Sequence, residues 1–134
     1  MSSVTVAAAL YARMNTDVTL KAIVSGIYRN VAPPSATYPF VIMQHITGAD
    51  EYTFTQRVSS QARWQIKVID EGYSAVAAET ALTRIDVLLT DQRLDVSGKT
   101  NWVIRRITRF EYAQMGEFGV IYQHVGGEWF IEMA

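Results

Sequence analysis

Cysteine is absent from this chain of 134 residues, and neither sign of charge dominates it. Without cysteine, disulfide bonds, thiolate metal sites and cysteine nucleophiles are excluded. The chain has 12 lysines and arginines against 13 aspartates and glutamates, which gives a net charge of −1. Nucleic-acid binders gain much of their affinity from a basic excess, so this balance argues against specific nucleic-acid binding.

Long hydrophobic runs are also missing. Residues 1–6 contain no basic stretch followed by an apolar core, so we do not expect a signal peptide. No uncharged apolar run approaches the roughly 20 residues of a membrane helix, so we expect a soluble protein with no membrane partner. Hydrophobic residues nevertheless make up 49% of the chain and charged residues only 19%. We therefore expect one domain over residues 1–134, with part of its surface covered by other subunits.

Two segments have the apolar spacing of helices. Residues 4–14 and 74–90 repeat apolar side chains every three or four positions, which places them on one helix face. Ser74 is predicted to cap the second helix, whose apolar stripe comprises Ala78, Ala81, Leu82, Ile85, Leu88 and Leu89. Between them, a short helical turn capped by Thr16 or Asp17 is predicted to end at Gly26.

Four segments are predicted to be strands: 40–47, 58–70, 102–113 and 120–125. Pro33-Pro34 keeps the chain irregular before the first strand, and residues 48–54 form a predicted loop or hairpin arm. Gly126-Gly127 is predicted to interrupt the last strand as a bulge or bend, before a final extended piece at 129–131. Residues 91–100 are a predicted connection, with a short strand at 93–96 as an option. The order helix, strand, strand, helix, strand, strand predicts an α+β fold with a mainly antiparallel sheet of about four strands and helices on one face.

The residues that carry chemistry do not form a recognisable site. His45 and His124 are the only histidines, and both lie in strand patterns instead of a metal-ligand spacing. The adjacent carboxylates Asp50-Glu51 and Asp70-Glu71 point apart on a strand or turn, so they suit solvated turns better than shared acid–base work. We therefore predict no catalytic, metal or cofactor-binding residues, and a protein that is not an enzyme.

Strand 102–113 contains Arg105, Arg106 and Arg109, the best candidates for contact with nucleic acid. Regular alternation places Arg105 and Arg109 on one face and Arg106 on the other. Two arginines on one strand face are more typical of carboxylate partners than of a phosphate track. The loops at 97–99 and 126–127 lack the spacing of phosphate-binding loops.

Aromatic residues are the remaining candidates for contact. Trp64, Trp102 and Trp129 are expected to anchor the core or an interface. Residues 51–57, called the arm below, place Tyr52 and Phe54 beside Arg57 in a polar, loop-like context. Two interpretations stay open: the aromatics fold back onto their own sheet, or the arm contacts a partner.

The order of these pieces resembles the tail completion, or tail terminator, proteins of long-tailed bacteriophages and prophages. The resemblance covers most of the first ninety residues and is looser towards the end. The matching segments in chain order are Leu10 to Met14, Thr16 to Val24, Gly26 to Tyr28, Val31 to Pro34, Tyr38 to Ile42, Arg63 to Val68 and Gly72 to Ala75.

The resemblance implies a non-catalytic structural protein of the virion tail, assembled in the cytoplasm of the bacterial host. Such proteins form a ring, commonly a hexamer, at the head-proximal end of the tail tube. The ring ends tube polymerisation and offers a docking surface to the head–tail connector. Because a closed ring meets another symmetric ring, weak contacts of the single subunits add up to strong binding. The implied partners are further copies of the chain, the tail tube protein and the connector protein, and Tyr52, Phe54 and Arg57 are the candidate contact residues.

Two alternatives remain open from the sequence. Another phage neck, head-completion or minor tail protein would have a similar architecture. A small ligand-binding or enzymatic α+β domain would need a concave pocket with converging polar groups. A deep pocket containing His45 or His124 beside a carboxylate would favour that second alternative.

Overall fold

The computed structural model describes residues 3–52, 57–94 and 101–133. Its elements, in the order in which the chain forms them, are α1 (Ser3–Asn15), α2 (Val18–Lys21), β1 (Ile27–Arg29), β2 (Phe40–Tyr52), β3 (Arg57–Glu71), α3 (Val76–Leu89), β4 (Asn101–Met115), a 3-10 turn (Glu117–Gly119) and β5 (Ile121–Met133). The predicted α+β class is confirmed. The predicted arm residue Phe54, the loop 97–99 and part of the optional strand 93–96 lie outside the described residues.

The described part of the chain forms a sheet of five strands in the order β1-β2-β3-β5-β4, one more than the sequence predicted. The strand missed from sequence is β1, which is only three residues long and pairs in parallel with β2; the other pairings are antiparallel. Three residues are too few to show an alternating pattern. The backbone of Ser25 and Gly26 bonds to that of Pro39 and Val41, which joins β1 to the start of β2.

Two strands are longer than predicted. β2 continues through the predicted loop as far as Tyr52, because residues 48–52 pair with β3. The predicted interruption at Gly126-Gly127 is wrong, since β5 keeps its register with both neighbours there. At Gly126 an added Cβ would lie 2.5 Å from Cζ of Phe110 and 2.6 Å from Cβ of Lys67. Glycine here makes room for a neighbouring ring instead of bending the strand.

The hydrophobic core lies on one face of this sheet, called the core face. Val41, Trp64, Ile66, Val125 and Trp129, from three neighbouring strands, are buried there. They form one cluster with the apolar residues of the helices, namely Val6, Leu10, Met14, Leu20, Ala78, Ala81, Leu82, Ile85 and Leu89. The apolar residues that alternate along β3 and those that recur with helical spacing along α3, both visible in the sequence, therefore pack in one core.

The helix ends follow the predicted chemistry in part. The Asp17 side chain caps α2 by accepting a hydrogen bond from the Leu20 N–H at 2.9 Å. Gly26 does not end that helix, because α2 stops at Lys21 and Ala22 is its C-cap. The Ser74 hydroxyl accepts from the Val76 N–H at 3.3 Å, whereas Ala75 occupies the N-cap position of α3.

A chain of polar contacts joins α3 to β4 and β5. The Trp129 indole donates to the Thr90 hydroxyl at 3.1 Å, and that hydroxyl donates to Asp86. Arg106 of β4 lies 3.5 Å from the same carboxylate. Trp129 is fully buried, so its polar hydrogen depends on this partner.

Candidate contact surfaces

The arm connects β2 to β3. β2 ends at Tyr52 and β3 begins at Arg57, and these two residues pair across the hairpin after a register shift at Glu51/Tyr52. The backbone thus brings Tyr52 and Arg57 together, while the side chains of both and all of Phe54 lie outside the described part. Whether the aromatics fold back or reach outwards remains a prediction from sequence.

Two other turns meet at the opposite end of the sheet. β3 ends at Glu71, which pairs with Tyr122 near the start of β5, so the β3–α3 turn and the β4–β5 turn are neighbours. The Gly72 N–H donates to the Ile121 carbonyl at 2.7 Å, and the Gln123 amide donates to the Gly72 carbonyl at 3.1 Å. Residues 70–76 and 115–121 are together called the turn end.

The turn end exposes large apolar side chains. Phe118 is 98% exposed, Tyr73 88%, Met115 73% and Val76 67%. Phe118 also has φ of 57°, in the left-handed region that costs a non-glycine residue roughly 1–2 kcal/mol. A large apolar residue held in a strained conformation with almost no burial is typical of a contact residue. Sequence reasoning missed it, although the turn sequence Gly116-Glu117-Phe118-Gly119 is as unsuited to core packing as the arm is.

A shallow depression of about 240 Å³ adjoins the turn end on the sheet face opposite the core, called the open face. The described residues that line it are Tyr38, Phe40, Ile69, Gln114, Gly116, Tyr122 and His124, a set without a carboxylate. The Tyr38 ring lies 5.0 Å from Phe40 and 5.6 Å from Tyr122, centroid to centroid. Burial, followed by the neighbouring Tyr122, raises the pKa of Tyr38. The lining is suited to apolar contact rather than to acid–base chemistry.

The two histidines are not brought together. His45 pairs with Trp64 on the core face, whereas His124 pairs with Ile69 on the open face, five positions further along β3. His124 is buried, stacks on Tyr112 with centroids 4.5 Å apart, and has Nε2 3.0 Å from Oε1 of Gln114. Burial, and secondly the charge of Lys67, lowers the pKa of His124, so its neutral form is favoured.

The acidic candidates also stay apart from the histidines. Asp70 accepts a hydrogen bond from the backbone N–H of Glu71 at 2.9 Å, as expected of a turn residue. Asp50 and Glu51 lie in β2, where their side chains are outside the described part. In residues 3–52, 57–94 and 101–133, no three histidine, aspartate or glutamate side chains are grouped so as to hold a metal ion. No described helix has the length and hydropathy to cross a membrane.

The predicted arrangement of the arginines is corrected by the register. A shift between Arg106 and Thr108 changes the alternation of β4. Arg109 pairs with Gly127 and Arg106 with Trp129, so both lie on the core-face side, whereas Arg105 pairs with Phe130 on the open face. Arg106 and Arg109 approach Asp86 and Glu111 at 3.5 and 3.9 Å, and Arg105 lies over the Phe130 ring. The described contacts of these arginines are thus carboxylates and a ring.

The fold and these surfaces define a protein built for packing and contact, and comparison with known proteins gives its family. The family model described as tail completion protein gp17 matches residues 8–112, more than half of the chain. The chain therefore belongs to the tail completion protein family, which confirms the resemblance noted from its sequence, and it is a structural protein of the phage tail. Membership of a structural family favours a non-enzymatic role. No curated protein sequence matches significantly.

The solved structures that share the fold include the following two. A chain of the virion of a native gene transfer agent particle has a TM-score of 0.72 and 20% identity, covering 93% of this chain and 92% of that one. A second solved protein has a TM-score of 0.56 and 16% identity, covering 98% of this chain and 96% of that one. At such identities the likeness concerns the fold alone.

Proposed function

We propose that this chain is a non-catalytic, single-domain protein that forms a ring at the head-proximal end of the phage tail. There it ends tail tube polymerisation and joins the tail to the head connector. The ring consists of copies of this chain, most simply six, and assembles in the host cytoplasm before becoming part of the virion. The observation that carries the proposal is the family match over residues 8–112.

The shape of the sheet supports a joining role. β3 has 15 residues, which corresponds to roughly 50 Å at about 3.3 Å per residue. The arm and the turn end lie at opposite ends of this length, because β5 begins beside Glu71 and ends beside Ser60. One subunit therefore has two separated contact regions, as a protein between two rings requires.

The arm residues Tyr52, Phe54 and Arg57 are assigned to contact with a neighbouring copy or with the tail tube. Aromatic side chains are frequent at interface centres because they bury a large area at modest entropic cost. The backbones of Tyr52 and Arg57 pair at the end of the β2–β3 hairpin that lies away from the turn end.

The test removes both aromatics with Tyr52→Ala and Phe54→Ala in one chain. We expect the melting temperature to be kept while ring formation, measured by light scattering with and without tail tube protein, is weakened. Tyr11→Ala is the matched control, since Tyr11 is a half-exposed tyrosine of α1. Loss of folding would place the aromatics in the core instead. A pull-down from a mixture of tail tube subunit and portal-side adaptor tests the alternative. A head-completion or other neck protein would retain the adaptor and not the tube subunit.

A further inference from the structure

We infer that the turn end is the head-side docking surface of this protein. Its occupant is a connector subunit that offers an apolar socket rimmed by lysine or arginine. The inference rests on the proposed function for the identity of the occupant. It adds the surface, its anchor residue Phe118 and the charge of the partner.

The first argument is rigidity combined with exposure. The Gly116 N–H donates to the Val120 carbonyl at 2.7 Å, and the Val120 N–H donates to the Glu117 carbonyl at 3.2 Å, so Phe118 sits in a closed turn. Hydrogen bonds of the Gly72 backbone also join the start of β5, directly after that turn, to the β3–α3 turn. Phe118 and Tyr73 thus lie in turns whose backbone is held by hydrogen bonds. This limits the conformational entropy that the turns lose when a partner binds.

The second argument is charge. The protein has 12 lysines and arginines, yet none falls within residues 69–79 or 111–124, the segments that contain the turn end. The same segments contain the carboxylates Asp70, Glu71, Glu79, Glu111 and Glu117. Within the turn end itself, Asp70, Glu71 and Glu117 are the charged residues. Exposed apolar groups with carboxylates in the same turns match a socket with a basic rim, because opposite charges steer the encounter and fix its register.

The third argument is position. The arm, which the proposed function assigns to the tube or a neighbouring copy, occupies the other end of the sheet. A contact at the turn end therefore leaves the arm free, and both partners can be held at once. The adjoining depression beside Tyr38 and Tyr122 extends the apolar area onto the open face.

The experiment adds the full chain to the lysate of a phage from which the gene for this protein has been deleted. Wild type is compared with Phe118→Gly, Glu117→Lys and the control Val18→Ser, whose valine is 83% exposed on α2. Phe118→Gly relieves the left-handed conformation and removes almost no burial, so its melting temperature should not fall. Electron microscopy scores tail length and the fraction of tails joined to heads.

We expect both turn-end variants to give tails of normal length that join heads at least about tenfold less often, the loss typical of one interface anchor. The control should behave like wild type. Joining at the wild-type level by Phe118→Gly would overturn the inference. So would loss of tail-length control or of self-association, because the turn end would then contact the tube or another copy.

A separate measurement distinguishes this inference from the proposed function. Heads with their connectors, purified without tails, are sedimented with each variant. Wild type should bind the connectors and Phe118→Gly should not, and salt should weaken the binding of wild type. This result supports the docking surface even if another protein proves to set tail length. Uncontrolled tail length with wild type present would instead count against the proposed function. Equal sedimentation of all variants would overturn the docking surface.

Discussion

Arg84 of α3 donates two hydrogen bonds to the Asp17 carboxylate, at 2.7 and 2.8 Å, while that carboxylate also caps α2. One acidic side chain therefore holds the start of a four-residue helix and ties it to α3. A helix of that length has little stability of its own, so its position depends on such contacts.

Asp17 predicts an acid-dependent loss of stability. Arg84, and to a lesser degree the Leu20 N–H, lowers the pKa of Asp17 below 3.8, although burial opposes them. The stabilisation is complete above pH 3.8 and is lost as the pH falls through the lower, folded-state pKa. Asp17→Asn should keep the cap, lower the unfolding free energy at neutral pH and flatten this acid limb in chemical denaturation.

Asp17→Ala is the companion to that variant. Alanine removes the cap as well as the ion pair, so the unfolding free energy should fall by about 1 kcal/mol more than with Asp17→Asn. Equal stability of the two variants would show that the cap contributes nothing.

His124 predicts a second pH dependence, of opposite chemical origin. Because burial lowers its pKa below 6.5, the unfolded chain binds more protons than the folded chain in the window below pH 6.5. Stability is therefore full above pH 6.5 and declines as the pH falls towards the folded-state pKa. His124→Gln should flatten the decline below pH 6.5, measured by urea unfolding. His45→Gln, at an exposed position, is the control and should retain it.

Gly126 predicts a steric effect. An added methyl group would meet Phe110, Lys67 and the Ile66 carbonyl at 2.5 to 2.9 Å. Gly126→Ala should lower the unfolding free energy by about 1–3 kcal/mol, as overpacking does. Combining it with Phe110→Ala should restore part of the loss, because one of three close contacts is removed. A neutral Gly126→Ala would contradict the close packing of β3, β5 and β4.

The hydrogen bond between Trp129 and Thr90 is expected to contribute to the unfolding free energy. Thr90→Val keeps the shape of the side chain, leaves the Trp129 indole N–H without its partner and also removes the hydrogen bond to Asp86. The expected loss of unfolding free energy is about 1–3 kcal/mol, the penalty for an unsatisfied buried donor. Thr83→Val on the same helix is the matched control, since its exposed hydroxyl bonds only to the preceding turn. Equal effects of the two valines would exclude a special role for Thr90.

Much of the fold was predictable because it depends on neighbours in sequence. The alternation around Trp64, Ile66 and Val68 and the stripe from Ala78 to Leu89 predicted β3, α3 and their buried residues correctly. The Asp17 cap was predictable for the same reason, since its partner is three residues away. The arm residues stay predictions, as the described side chains do not include them.

The errors concern relations between distant segments. A three-residue strand such as β1 forms only because β2 is there to pair with it. The register shift that moves Arg109 to the face of Arg106 depends on how β4 pairs with β5, and periodicity within β4 does not reveal it.

The sequence by itself determined the apolar faces, the lack of cysteine chemistry and of a basic excess, and the family, because composition and local spacing are written along the chain. Only the tertiary structure decided which face Arg109 occupies, that Gly126 makes room for Phe110, and that Tyr73 and Phe118 are exposed at one end of the sheet. These features arise from contacts between residues far apart in sequence, whose register is set by the packing of the whole sheet.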